Sequence, residues 1–460
     1  MASRYPCARL FPPRLGSLMA AVGVSLAIGA CSSGTTEPPT SHMFTVTIQN
    51  VGNAYPFIKS GIFNTPFGAT APGPIGPGAA YEFSFTAPKG AKLSLATMFV
   101  PSNDFFYAPD TAGIALYNPD GSPVSGDVTD QFKLWDAGTE INQEPGLGPD
   151  QPQRQAGPNT GAADPDSLVR VAPDSFGNLP AVNAVLKVVI APGPNSSFTV
   201  RVENVSNSTT LSTSDGKTQA VPLAPGVWVV HTDPAPLFRP GTPDRHEGLE
   251  ALAEDGNPAP LGATLASRTG ITVPLAPGVY AVSSSPGILY TSGQPDLGVG
   301  LEALAEDGKP ATLAAALAAD TLVSASGAFA TPVGGSGPGA IGPGQSYQFS
   351  FQAVPGENLS LATMFVPSND LFYAPSDSGI PLFNGSTPIS GDVTAQMMLW
   401  DAGTEVNQEP GVGPDQPQRQ AAPNTGTSEQ EPVEPIGQVG GDAFTYPKTG
   451  DIIKVTITSQ

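Results

Sequence analysis

The stretch LSLATMFVPSNDFFYAP occupies Leu93–Pro109 and returns at Leu359–Pro375 with one change, Leu371 in place of Phe105. A second shared segment comes after each copy. Leu134–Gly161 and Leu399–Gly426 are 28 residues long and differ at three positions. The preceding flanks match as well: Ser60-Gly61 and Ser326-Gly327, then GPIGPG at 73–78 and GAIGPG at 339–344. Repetition at this level within one chain is the signature of duplicated folding units.

A smaller repeat lies between the copies. VPLAPGV begins at Val221 and Val273, and GLEALAEDG begins at Gly248 and Gly300, both at a spacing of 52 residues. This defines two strand–helix units, at about 218–270 and 271–320. Elsewhere apolar and polar residues alternate. Phe44, Val46 and Ile48 do so, as do Tyr81, Phe83 and Phe85, then Phe198, Val200 and Val202, then Ile453, Val455 and Ile457. Period-two patterning between Gly/Pro turns predicts half-buried antiparallel strands, and many of them predict sandwiches. Helix is expected only at Leu249–Asp255 before Gly256, at Leu301–Gly308, and at Ala311–Ala319. The expected fold is mainly all-β, with two antiparallel β-sandwich domains and a few short helices in the second. Asn183–Ile190 resembles the closing run Ile452–Ile457, and a new opening strand starts at Phe198. The expected domains are therefore 43–194 and 196–460, the second holding both strand–helix units.

The 460 residues carry 40 acidic and 19 basic side chains, net −21, with 53 Gly and 52 Pro. Nucleic-acid binding is not expected, because it needs clustered Lys and Arg. The two cysteines are Cys7 and Cys31. A mature chain beginning at Cys31 has no intramolecular disulfide and no CxxC zinc site. Arg4, Arg9 and Arg14 precede an apolar stretch, Leu15–Ile28, that ends Ile28-Gly29-Ala30-Cys31. Residues 1–30 read as an export signal, and the ending resembles the bacterial lipobox. That resemblance implies lipidation at Cys31, a polar tether over 31–42, and a lipid anchor in the cell envelope. Ser32 after the cysteine resembles the pattern of lipoproteins sent to the outer membrane or cell surface.

Leu95-Ala96-Thr97-Met98-Phe99, Pro101-Ser102-Asn103-Asp104 and Trp135-Asp136-Ala137-Gly138-Thr139-Glu140 together resemble the spondin domain of animal extracellular-matrix proteins. The 218–270 unit resembles an earlier part of that module through Trp228–His231, Phe238, Gly241 and Ala253-Glu254-Asp255-Gly256 with Pro258. His231 is replaced by Ser283 in the second unit, and the animal proteins' cysteines are absent.

The resemblance implies calcium sites at Asp104, Asp136 and Glu140, and again at Asp370, Asp401 and Glu405. The family carries Asp where Glu140 and Glu405 stand. Calcium takes six to eight hard oxygen ligands. Gly138 between Asp136 and Glu140 permits a tight loop presenting both acids to one point. On spacing alone the acids read more readily as solvated loop residues. Asn103, Asp127, Asn369 and Asp392 are expected to be turn residues. The long loop through Glu144–Gly161 reads as a binding loop or as a Pro-stiffened surface loop. Phe105, Phe106 and Tyr107 are expected in core and hairpin packing. The only histidines are His42, His231 and His246, so the duplicated segments hold no His-based triad. The expected function is a non-catalytic, calcium-binding surface or adhesion protein, with an extracellular glycan or protein as partner. The alternatives are a structural envelope lipoprotein and, less favoured, a polymer-degrading hydrolase.

Overall fold

In the computed structural model, residues 40–438 and 442–460 are described. The export signal, Cys31 and the tether up to residue 39 lie outside the described residues. The opening strand β1 (His42–Asn50) is followed by β2 (Phe57–Phe63), β3 (Ala80–Thr86), β4 (Lys92–Phe99) and β5 (Phe105–Pro109). Next come β6 (Phe132–Asp136), β7 (Arg170–Val171), β8 (Leu186–Pro192), β9 (Ser197–Asn204) and β10 (Leu223–His231). Helices α1 (Leu249–Asp255) and α2 (Ala259–Ser267) close this stretch. The same kinds of element then recur as β11 (Leu275–Ser283), α3 (Leu301–Asp307), α4 (Ala311–Ala319), β12 (Val323–Phe329), β13 (Ser346–Ala353), β14 (Asn358–Phe365), β15 (Leu371–Ala374), β16 (Met398–Asp401), β17 (Glu434–Pro435) and β18 (Ile453–Ser459).

The chain is mostly strand, in antiparallel sheets that form two sandwich-like lobes. In lobe one a long sheet runs β2-β10-β4-β5-β6-β7, and a facing sheet runs β3-β9-β8 and ends on Gly126–Asp127. Lobe two repeats this as β12-β11-β14-β15-β16-β17 facing β13-β1-β18 and Gly391–Asp392. Each long sheet is covered on both sides. Leu93, Leu95 and Phe99 of β4 pack toward the facing sheet. Ala96 of the same strand packs toward Leu249, Leu252, Leu261 and Leu265 of the two helices. A strand buried on both faces reads as a nearly continuous apolar run, which is why LSLATMF does not alternate. Phe105, Phe106 and Tyr107 are all buried, as expected, and Phe106 meets Phe238 edge-on at 5.2 Å.

Strand pairing corrects the expected domain boundary. β1 pairs with β13 and β18 of lobe two, with Val46 opposite Phe349 and Ile457. β9, expected to open the second domain, pairs with β8 and β3 of lobe one, with Val200 opposite Ile190 and Phe83. A buried asparagine fixes each assignment. Asn50 donates its amide to the carbonyls of Val273 (2.7 Å) and Ile341 (3.0 Å) in lobe two. Asn204 donates to Val221 (2.7 Å) and Ile75 (3.0 Å) in lobe one. Lobe one is therefore 57–267, inserted between β1 and the remainder of lobe two. The strand–helix units divide one to each lobe, and helices stand in both lobes rather than only the second. The physical reason is that FTVTIQN and FTVRVEN are nearly interchangeable as strands, so patterning alone does not say which sheet each one joins.

Helices α1, α3 and α4 fall where the sequence places them. The sequence reading misses α2. Its Pro260 stands within the first turn, where a missing N–H costs nothing. Its Gly262 lies so close to Ile62 that an added Cβ would sit 2.5 Å from that side chain. Among the described residues no helix is long and apolar enough to cross a membrane.

Because both apolar cores of lobe one draw only on residues 57–265, a fragment of residues 53–271 should fold alone, with a β-type circular dichroism spectrum and a cooperative melt. A fragment of 43–194 lacks β9 and β10 and carries an unpaired β1, so it should not. Cooperative melting of the shorter fragment would show that those pairings are dispensable.

Candidate functional site

The expected acids gather at one end of the long sheet. Asp104 ends the turn between β4 and β5, and Asp136 closes β6 opposite Phe105. Both are fully buried. Asp104 Oδ2 accepts the backbone N–H groups of Thr139 (3.1 Å) and Glu140 (3.2 Å). Asp136 Oδ1 accepts the N–H of Gly138 at 2.7 Å, and its Oδ2 accepts the Asn142 amide at 2.8 Å. Gly138 adopts φ +67°, and an added Cβ would meet the Leu168 carbonyl oxygen at 2.7 Å, so the tight loop there needs glycine. Lobe two repeats these bonds with Asp370 and the N–H groups of Thr404 and Glu405, both at 3.1 Å, and with Asp401 and Gly403 at 2.7 Å.

The third expected ligand departs from its assigned place. Asp370, Asp401 and Glu429 each offer an oxygen within 4.8 Å of the others, and Glu405 stands outside that set. Glu140 and Glu405 contribute their backbone N–H to the aspartate. Their side chains fold instead onto the N–H of Gly161 and Gly426, both at 2.8 Å. Glu429 was not foreseen. It stands one residue beyond Ser428, which bridges to Glu405, in the segment where the two copies diverge.

A second unforeseen group comes from the helices. Glu254 of α1 and Glu306 of α3 are buried. Burial, reinforced by neighbouring carboxylates including Glu140, pushes Glu254 up to about 8. Burial with Glu405 and other acids does the same to Glu306, to about 7. Asp104 and Asp370 are raised by burial and then by the charge of Asp136 and Asp401 respectively. Several oxygens in this region have no hydrogen-bond partner among the described residues, and they recur by position in both lobes. They are Asp104 Oδ1, Glu140 Oε2, Asn142 Oδ1 and Glu254 Oε1 in one, and Asp370 Oδ1, Glu405 Oε2, Asn407 Oδ1 and Glu306 Oε1 in the other. A buried acceptor left unpaired costs about 1–3 kcal/mol, more when charged. An oxygen-rich set of this kind fits a hard cation.

The long loop acts as a strap over the site. Gln155 donates to Asp255 (2.8 Å) and Asn159 to Glu250 (2.8 Å), tying it to α1. In lobe two Gln420 bonds Asp307 and Asn424 bonds Glu302 in the same way. Asp127 and Asp392 are turn residues as expected, each accepting the N–H two residues on at 2.9 Å.

His231 makes a contact with the outline of a catalytic pair. Its Nε2 lies 2.9 Å from Ser94 Oγ, and its Nδ1 lies 2.5 Å from the Asp233 carbonyl oxygen. His231 is fully buried and Ser94 nearly so. The adjoining space between Ser94, Pro109 and Phe238 leaves no room for a water molecule. The pair ties the end of β10 to β4.

No protein-family model and no curated protein sequence matches this chain.

Burial holds the His231 imidazole below its ordinary value. The folded protein therefore resists a proton that the unfolded chain accepts near pH 6.5. The stabilisation is complete above that pH and is lost as pH falls below it. His231→Ser, which reproduces Ser283 of lobe two, should flatten the decline in Tm between about pH 7 and 5. Parallel Tm–pH curves for wild type and variant would show that His231 is not responsible.

Proposed function

We propose that this chain is a non-catalytic, calcium-stabilised binding or adhesion protein of the bacterial envelope, exported and lipid-anchored through Cys31. One observation carries the calcium reading: the same buried carboxylate oxygens lack partners in both lobes. Two carboxylates about 4 Å apart repel by about 4 kcal/mol at an effective dielectric near 20. A divalent cation reverses that term, and donors made only of oxygen suit calcium. The resemblance to spondin domains points to the same aspartates, which supports the reading independently of the geometry.

The reading as non-catalytic follows the sequence, whose duplicated segments hold no histidine. Display on the envelope is supported by the Ile28-Gly29-Ala30-Cys31 ending, and outer-membrane placement by Ser32. The net charge of −21 favours a neutral glycan or a protein surface over nucleic acid as the partner.

Differential scanning calorimetry with and without chelator tests the calcium reading. Calcium at about 100 times its dissociation constant should stabilise the fold by about 2.7 kcal/mol. That corresponds to a rise in Tm of roughly 5 °C or more. Magnesium should substitute poorly, because it demands a tighter octahedral shell. A Tm indifferent to chelator, with no calcium found by elemental analysis, would refute it.

A further inference from the structure

The two lobes present the same aspartates in opposite electrostatic settings. In lobe one β7 sets Arg170 opposite Asp136, whereas in lobe two β17 sets Glu434 opposite Asp401. Arg170 Nη2 lies 2.8 Å from Asp136 Oδ2 and 2.6 Å from Asp164 Oδ2, so one guanidinium bridges two carboxylates. Asp164 and Glu429 occupy the same place. The N–H of Asp164 donates to the Thr139 carbonyl at 3.2 Å, and that of Glu429 to the Thr404 carbonyl at 2.9 Å. Among the described residues no Lys or Arg pairs with Asp401 or Glu429.

Lobe two also has an entrance. A cavity of about 460 Å³ is lined by Asp401 and Glu429, with Glu431, Glu434 and Asp442 also on its wall. Asp370, 0% exposed, has its Oδ1 unpartnered and its carboxylate within 4.8 Å of those of Asp401 and Glu429. No His or Cys belongs to this set, so its chemistry is that of hard oxygen donors.

We propose that Asp370, Asp401 and Glu429 form a site for one exchangeable divalent cation of the calcium class, while Arg170 fills the corresponding place in lobe one with a fixed positive charge. This rests on the calcium reading of the protein and narrows it: the chain takes up one ion at this position, not one per lobe. The guanidinium satisfies Asp136 and Asp164 with bonds of fixed geometry. An ion entering lobe one would have to displace it. In lobe two the acidic cavity draws a cation toward acids that no Lys or Arg among the described residues neutralises.

Isothermal titration of the full chain with calcium chloride, after chelator treatment and removal, tests the proposal. One ion per chain is expected. Glu429→Gln should weaken binding by about tenfold or more. Glu434→Arg, which grafts the lobe-one arrangement, should do the same, and both should lose the calcium-dependent rise in Tm. Arg170→Gln should raise the stoichiometry to two. If that variant does not fold, Glu434→Arg decides alone. Two equivalent sites in the wild type, or one site that survives both Glu429→Gln and Glu434→Arg, would overturn the asymmetry and leave the calcium reading standing. Absence of any calcium uptake would overturn both.

Discussion

The constraint behind the rest of the structure is the burial of each long sheet on both faces. β4 and β10 carry apolar side chains above and below, so a facing sheet on one side leaves the other exposed to water. Two short helices cover that side in each lobe. At seven and nine residues they are too short to persist alone. They hold because Leu249, Leu252, Leu261 and Leu265 are driven against the sheet, at about 1.5–3 kcal/mol for each buried side chain. Covering the sheet has a chemical consequence. α1 and α3 bring Glu254 and Glu306 up to the acidic end of the sheet, and the straps from Gln155 and Gln420 lock onto the same helices.

Lobe composition is set by two buried amides rather than by chain order. Asn50 and Asn204 each donate to two carbonyls from loops of their own lobe. Removing either would leave buried polar atoms on both sides, which is why such networks specify one arrangement. The resulting order is a lobe whose first strand is separated from its remainder by an entire second lobe. Chain segments at 51–56 and near 270 must therefore cross together between lobes. Tyr55 accordingly donates its N–H to Thr272 Oγ1 at 2.8 Å.

The main strands and helices α1, α3 and α4 were legible in the sequence because they depend on local periodicity, whereas α2 was missed. The alternating runs became strands of the facing sheets, and LEALAEDG became a helix stopped by a glycine at φ +62°. Lobe membership was not legible, because β1 and β9 share one pattern and differ only in which carbonyls their asparagines meet. The aspartates of the site were readable from the motif, since they stand at fixed offsets from strand ends. Glu254 stood out only as a member of a motif, and Glu429 and Arg170 gave no signal. Glu254 depends on helix packing, while the other two lie in a segment where the duplicated copies diverge.

That divergent segment decides how the common machinery behaves. The 28 nearly identical residues supply the loop, the strap and one of the acids, Asp136 or Asp401, to each lobe. The residues just beyond them, up to β7 in one lobe and β17 in the other, set the sign of the charge opposite the last residue of β6 or β16. A guanidinium tethered by the backbone gives up no translational freedom when it binds, and its concentration beside Asp136 does not depend on the medium. A free ion gives up that freedom, and its occupancy tracks the ion's activity in the surrounding medium. With Arg170 in one lobe and an exchangeable ion in the other, as proposed, one lobe is neutralised at all times and the other only where calcium is plentiful. The stability of lobe one then holds through changes in the surroundings, and that of lobe two reports them.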